Sequence, residues 1–162
     1  MPVGPAHKDD SAMYFLDEAA IERVASGVID RTLPRSEWTH AGHFAAALWL
    51  CRYRRDLTEA DEIRKLISRY NEATGTPNTD TGGYHHTITV ASMRGAATYL
   101  AGHPENAPLY VVHTALMASR FGDPDWLFAY WSREVLFTVA ARRGWVEPDI
   151  APLPSQAETH RH

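Results

Sequence analysis

The segment "EWTHAGHFAAALWL", residues 37–50, decides the fold. After its first few residues it is almost wholly apolar, so apolar side chains would lie on most sides of a helix. A helix of this kind belongs at the centre of a protein, where every side can be buried. Either Ser36 or Thr39 can cap its start, and we predict a central helix from about residue 38 to residue 54.

Further helices surround this one in the sequence, because apolar residues recur at helical spacing on both sides of it. We predict them at about residues 17–31, 58–74, 84–101, 106–120 and 124–142. Thr58 is the expected cap of the helix after the central one, and Gly75 its expected stop. No run of strand alternation is present in the sequence. The pattern therefore predicts an all-α, single-domain helical bundle of about five to six helices.

The last predicted helix is followed by a segment that cannot be helical. The stretch "GWVEPDIAPLP" holds three prolines, so we expect it to wrap over the bundle in extended form, held by Trp145 and Ile150. Polar residues at both termini favour loose ends. The predicted organisation is a flexible N-terminus (1–12), a helical domain (13–154) and a flexible C-terminal tail (155–162).

Composition excludes several classes of protein. A formal net charge of −4 argues against nucleic acid as a partner, because such binders usually present a basic face. Cys51 is the only cysteine, so neither an intrachain disulfide nor a thiolate metal cluster can form. No apolar run reaches the ~18 residues of a membrane span, and no signal-peptide core is present. We expect a cytoplasmic protein; a homodimer is compatible with the sequence.

Three histidines are the candidate ligands of a metal ion. His40 and His43 are three residues apart, which places their Cβ atoms roughly 5–6 Å apart on one helix face. His85 begins another helix, on the same stripe as Ile88 and Ser92, and should face inward. We predict that His40, His43 and His85 bind a divalent metal ion, either zinc or iron/copper. Hydrogen-bonded core histidines are the alternative interpretation, and His113 is a weaker fourth candidate.

The catalytic candidates lie beside His85. His86 would point about 100° away around the helix, and we assign it as a fourth ligand or the acid/base group. Tyr84 and Thr87 are the expected substrate-binding partners. The loop "GTPNTDTGG", residues 75–83, leads into this segment, and long ordered loops are often functional. Hydrogen-bonding partners of the ligating imidazoles would be Asn71, Asn78, Thr79 and Thr87.

Three phrases resemble a family of small uncharacterised bacterial all-helical proteins: "WTHAGH", "YNEATGTPNTDTGGYHHTIT" and "WSREVLFTVAARRGWVEPDIAPLP". The resemblance spans roughly residues 35–154 and implies no established activity. It places the family's histidines on His40, His43 and His85. The family's glutamate falls on His86, so this chain departs from the family there, with a neutral side chain in place of an anionic one.

These residues suggest a metal-dependent enzyme acting on a small organic substrate, in specialised metabolism. Zinc would mean hydrolysis, hydration or elimination, and iron or copper would mean oxidation. The alternatives are a non-catalytic small-molecule-binding or regulatory module, and a metal-free enzyme with His40 or His85 as the base. Haem binding ranks last. The expected pocket wall and anion anchors are Trp38, Phe44, Tyr84, Met93, and Arg94 or Arg120.

Overall fold

The computed structural model describes residues 15–154, and these form seven α-helices and no strand. The helices are α1 (Glu18–Ile29), α2 (His40–Tyr53), α3 (Ala60–Ala73), α4 (His86–Ala101), α5 (Leu109–Ala118), α6 (Arg133–Leu136) and α7 (Val139–Arg143). The predicted all-α, single-domain bundle is confirmed. None of these helices has the length and apolar character that crossing a membrane requires. The predicted flexible ends, 1–12 and 155–162, lie outside the described residues.

The central position of α2 is confirmed by its burial. Its buried residues lie on most sides of the helix: Ala41, Gly42, Phe44, Ala45, Ala46, Ala47, Leu48 and Leu50. It packs against α1 on one side and against α4 and α5 on others. The run of three alanines has short side chains, so neighbouring helices approach its backbone closely.

Local capping sets where the helices begin. Thr39 caps α2 by accepting a hydrogen bond from the Gly42 amide at 3.0 Å, which decides between the two predicted caps. The prediction that Thr58 caps α3 was wrong. Thr58 ends a 3-10 turn, Arg55–Thr58, and Glu59 takes the N-cap position without a side-chain hydrogen bond.

The helical region predicted over about 124–142 consists of several short segments. A 3-10 turn at Trp126–Ala129 is followed by α6 and α7. Ser132 caps α6 and Thr138 caps α7, each accepting a hydrogen bond from an amide three residues on. A new helix therefore begins twice within ten residues. Each hydroxyl accepts a hydrogen bond from a backbone amide, which competes with the hydrogen bonds of one continuous helix.

The Pro-rich C-terminal segment contains no helix or strand within the described residues, as predicted. Trp131 is fully buried, and its indole N–H donates to the carbonyl of Val146 at 2.9 Å. Trp145 packs edge-on against Trp131, with ring centroids 5.6 Å apart. The expectation for Ile150 was wrong: its side chain is 57% exposed, and only its amide contributes, through a hydrogen bond to the Tyr130 carbonyl.

The loop between α3 and α4 closes on itself. Gly83 has a φ of 78°, and a Cβ there would lie 2.4 Å from the Pro77 carbonyl oxygen. Gly75 has a φ of 87°, but a Cβ there would meet nothing within 4 Å. Both glycines therefore adopt the left-handed conformation that glycine permits. Only at Gly83 does another part of the backbone also lie too close for a side chain.

We predict that Gly83→Ala destabilises the protein by about 2–4 kcal/mol, because the left-handed cost adds to a backbone clash. Gly75→Ala should cost only about 1–2 kcal/mol, since it has the left-handed cost alone. Urea unfolding followed by circular dichroism measures both. Equal losses in the two variants would contradict the closed loop.

Candidate functional site

A pocket of about 250 Å³ lies between α1, α2, α3 and α4. Most of its wall is aliphatic, and we refer to it as the central pocket. Its polar wall residues are few: Arg35, His43, Asn71, Thr89 and Ser92, beside Tyr84 and His85 at the end of the loop. An apolar cavity with a small number of placed polar groups is typical of a small-molecule site.

His43 is held in the pocket in one orientation. Its Nδ1 donates to the Thr39 carbonyl at 2.6 Å. Its ring stacks on Trp38, with centroids 3.8 Å apart and planes 31° apart. A neutral imidazole has one N–H, so the proton on Nδ1 leaves Nε2 with a lone pair. Among residues 15–154, no group forms a hydrogen bond with this Nε2.

The surroundings of His43 keep it neutral. Desolvation by the surrounding protein lowers the pKa of His43 to about 4. The hydrogen bond to Thr39 opposes this shift, and the nearby His40 and Arg35 add to it. His43 is nevertheless an exposed residue, and it also forms part of the pocket wall. The lowered pKa makes His43 a hydrogen-bond acceptor at neutral pH.

His85 lines the same pocket, but both of its nitrogens are used. It is the N-cap of α4: Nδ1 accepts a hydrogen bond from the Ile88 amide at 3.2 Å. Nε2 bonds to the Leu136 carbonyl at 2.7 Å, which requires the proton to be on Nε2. Burial lowers the pKa of His85, in keeping with a neutral ring. In this arrangement His85 has no lone pair to offer a metal ion.

His40 turns away from the central pocket. Its Nε2 bonds to the Phe121 carbonyl at 2.7 Å, and its ring packs edge-on against Phe44. The three predicted ligands are therefore not brought together. Among residues 15–154, no three His, Cys, Asp or Glu side chains form a group that could hold a metal ion. The side chains as placed do not fit a metal bound by His40, His43 and His85, and that metal site stays a prediction.

The three predicted catalytic residues have different surroundings. Tyr84 lines the pocket, and its hydroxyl shares a hydrogen bond of 2.7 Å with Nδ1 of the buried His86. Burial raises the pKa of Tyr84 to about 12 and lowers that of His86. Thr87 is fully buried and donates to the Gly144 carbonyl while accepting from the Val146 amide. Thr87 thus fastens the C-terminal segment to α4 and lies outside the pocket wall.

A polar network that we did not predict holds the mouth of the pocket. Arg35 donates from Nη1 to Oδ1 of the buried Asn71 at 2.8 Å. Nδ2 of Asn71 donates to Oδ1 of Asn78 at 3.1 Å, and that oxygen also accepts from the Tyr84 amide at 2.9 Å. Asn71 and Asn78 were expected to orient histidines. They instead connect Arg35 to the loop that ends at the pocket.

Of the other residues expected to line the pocket, some do so and others lie elsewhere. Trp38 and Met93 line the pocket, whereas Phe44 is buried in the core. The two expected anion anchors lie elsewhere. Arg94 stacks over Trp145, with its guanidinium carbon 4.1 Å from the ring centroid. Arg120 bonds to the hydroxyl of Tyr130. Thr79, a further expected partner, accepts a hydrogen bond from the Thr81 amide within the loop.

No protein-family model, curated protein or solved structure matches this chain. The resemblance to a family of small bacterial helical proteins therefore stays a prediction.

We predict that the His43 ring titrates with a midpoint below pH 5, measured from its imidazole proton resonances by NMR. In the unfolded chain it should titrate near 6.5, so the unfolded state binds the extra proton between these values. The contribution of His43 to stability is thus complete above about pH 6.5 and falls as the pH drops towards 4. The free energy of unfolding in urea should decrease less between pH 6.5 and pH 4 in His43→Gln than in the wild type. A folded-state midpoint at or above 6.5 would contradict the lowered pKa of His43.

Proposed function

We propose that this chain binds a small, mainly apolar molecule in the central pocket. The observation that carries the proposal is the lone pair on Nε2 of His43, held in one orientation within a largely aliphatic wall. The Thr39 carbonyl sets the tautomer and Trp38 holds the ring plane. The ligand would place its apolar body against the wall and donate a hydroxyl or N–H hydrogen to Nε2.

The pKa of His43 favours binding over catalysis. A general base works best when its pKa is close to the working pH, because a much weaker base gains little from taking a proton. The lowered pKa makes His43 a weaker base than a free imidazole and leaves it deprotonated at neutral pH. Such a ring is well suited to accept a hydrogen bond from a ligand. This supports the non-catalytic alternative that the sequence left open.

A metal-free acid/base enzyme is the second candidate, and one observation favours it. The hydrogen bond from Nδ1 of His43 to the Thr39 carbonyl fixes the imidazole tautomer, which is how catalytic histidines are commonly oriented. A bound anion near the ring would raise the pKa of His43 towards neutrality. Catalysis would then depend on the ligand itself.

A metal-dependent enzyme would require rearrangement. His40 would have to leave the Phe121 carbonyl, and His85 would have to give up the α4 cap. Elemental analysis of protein purified without a His-tag distinguishes this case. Near-stoichiometric zinc, iron or copper that is lost in His43→Ala would favour the metal enzyme over the metal-free binding protein.

We predict that N-phenyl-1-naphthylamine, an apolar fluorophore with one N–H donor, binds the central pocket with increased fluorescence. Ala47→Leu should weaken binding at least tenfold, because Ala47 lines the pocket and the three extra carbons of leucine occupy its space. His43→Phe keeps a ring but removes the acceptor, and should weaken binding about fivefold to tenfold.

The matched control is Ala101→Leu, the same substitution at an exposed position outside the pocket. It should bind the fluorophore as the wild type does. Circular dichroism shows whether each variant keeps its helices. Absence of binding to the wild type, or equal binding by Ala47→Leu and Ala101→Leu, would contradict the proposed site.

A further inference from the structure

We propose that the ligand of the central pocket carries an anionic group, bound by Arg35 at the mouth of the pocket. The ligand class is then a small organic anion, such as a carboxylate, with an apolar body and a hydrogen-bond donor for His43. This inference rests on the proposed function, because it concerns the same pocket. It adds the charge of the ligand and the residue that recognises it.

Arg35 is a cation without an acidic partner. It is exposed and lines the pocket, and it forms no ion pair with the residues that the structure describes. The acidic residue closest in sequence, Glu37, is bonded to Arg23 through both carboxylate oxygens. Glu37 is therefore already paired with Arg23. Among the described residues Arg35 has no acidic partner, so its charge can pair with that of a ligand.

The guanidinium is held in place by three contacts, one of which is a hydrogen bond from Nη1 to Oγ1 of Thr74 at 3.4 Å. Nη1 donates to Oδ1 of Asn71 at 2.8 Å, and the guanidinium carbon lies 5.8 Å from the centroid of the Tyr70 ring. Asn71 is 4% exposed, and its Nδ2 donates to Asn78, so Oδ1 is the atom that must face Arg35. A guanidinium has five N–H groups in a planar fork. Those on Nε and Nη2 are available to a carboxylate, which the fork can bind through two parallel hydrogen bonds.

The charge balance of the pocket favours an anion. Among the described residues that line it, Arg35 carries the one full charge at neutral pH, because His43 and His85 are neutral and no Asp or Glu is present. Arg35 is also close enough to His43 for its charge to contribute to the lowered pKa of that ring. A mostly apolar wall weakens dielectric screening, so one unopposed cation attracts an anion more strongly than it would on an open surface.

The test compares two probes that differ in one charged group. N-phenyl-1-naphthylamine is neutral, and 8-anilinonaphthalene-1-sulfonate is the same skeleton with a sulfonate added. The wild type should bind the sulfonate probe at least tenfold more tightly than the neutral one. Arg35→Gln should reduce this preference about tenfold, by weakening the sulfonate probe and leaving the neutral probe within about twofold.

Two further variants separate a specific contact from overall charge. Arg69→Gln removes the same charge from an exposed position on α3 outside the pocket wall, and should keep the preference for the anionic probe. Arg35→Lys keeps the charge but loses the planar fork, and should retain part of the preference. It also serves as the folded variant if Arg35→Gln unfolds.

The outcomes distinguish this inference from the proposed function. An unchanged anion preference in Arg35→Gln, or an equal weakening of both probes, would overturn the role of Arg35 and leave the pocket as a binding site. The same loss in Arg69→Gln would also overturn it. Failure of the wild type to bind either probe at the pocket would overturn both proposals together.

Discussion

The burial of α2 is the constraint on which the rest of the structure depends. A helix with apolar residues on most of its sides must be covered from most directions, and α1, α4 and α5 supply that cover. The alanines at 45–47 allow close approach of these neighbours, and two of them, Ala46 and Ala47, also line the central pocket. Short side chains at the centre thus account both for tight helix packing and for the space left between the helices.

The sequence was informative about the fold wherever one periodic signal covered a whole element. Both the central helix α2 and its cap at Thr39 could be predicted from the sequence. The region after α5 was predicted as helical without its internal breaks, because apolar content alone does not distinguish one helix from several short ones. The decisive features there are hydroxyl caps at Ser132 and Thr138, whose effect depends on competition between local hydrogen bonds and a continuous helix.

Part of the candidate site could be predicted from the sequence. Spacing and helical stripes led to His43, Tyr84 and His85, and all three line one pocket. Spacing could not show which partner each imidazole nitrogen has. The carbonyls that bond to His40 and His85 belong to Phe121 and Leu136, which are 81 and 51 residues away in the chain. Arg35 was missed for the same reason: its partner Asn71 is 36 residues away, and only the fold shows that it faces the pocket.

The central pocket reduces the stability of the folded state, because an unfilled cavity lacks the contacts of a close-packed interior. Protein interiors are close-packed, and side chains longer than those of Ala46 and Ala47 would fill the space and add buried apolar contacts. A histidine kept neutral by its surroundings also reduces stability in acid, since the unfolded chain takes up the proton more readily. The cavity leaves apolar contacts unmade, and among the described residues Nε2 of His43 has no hydrogen-bond donor and Arg35 has no carboxylate partner. A ligand with an apolar body, a donor and an anionic group satisfies all three at once.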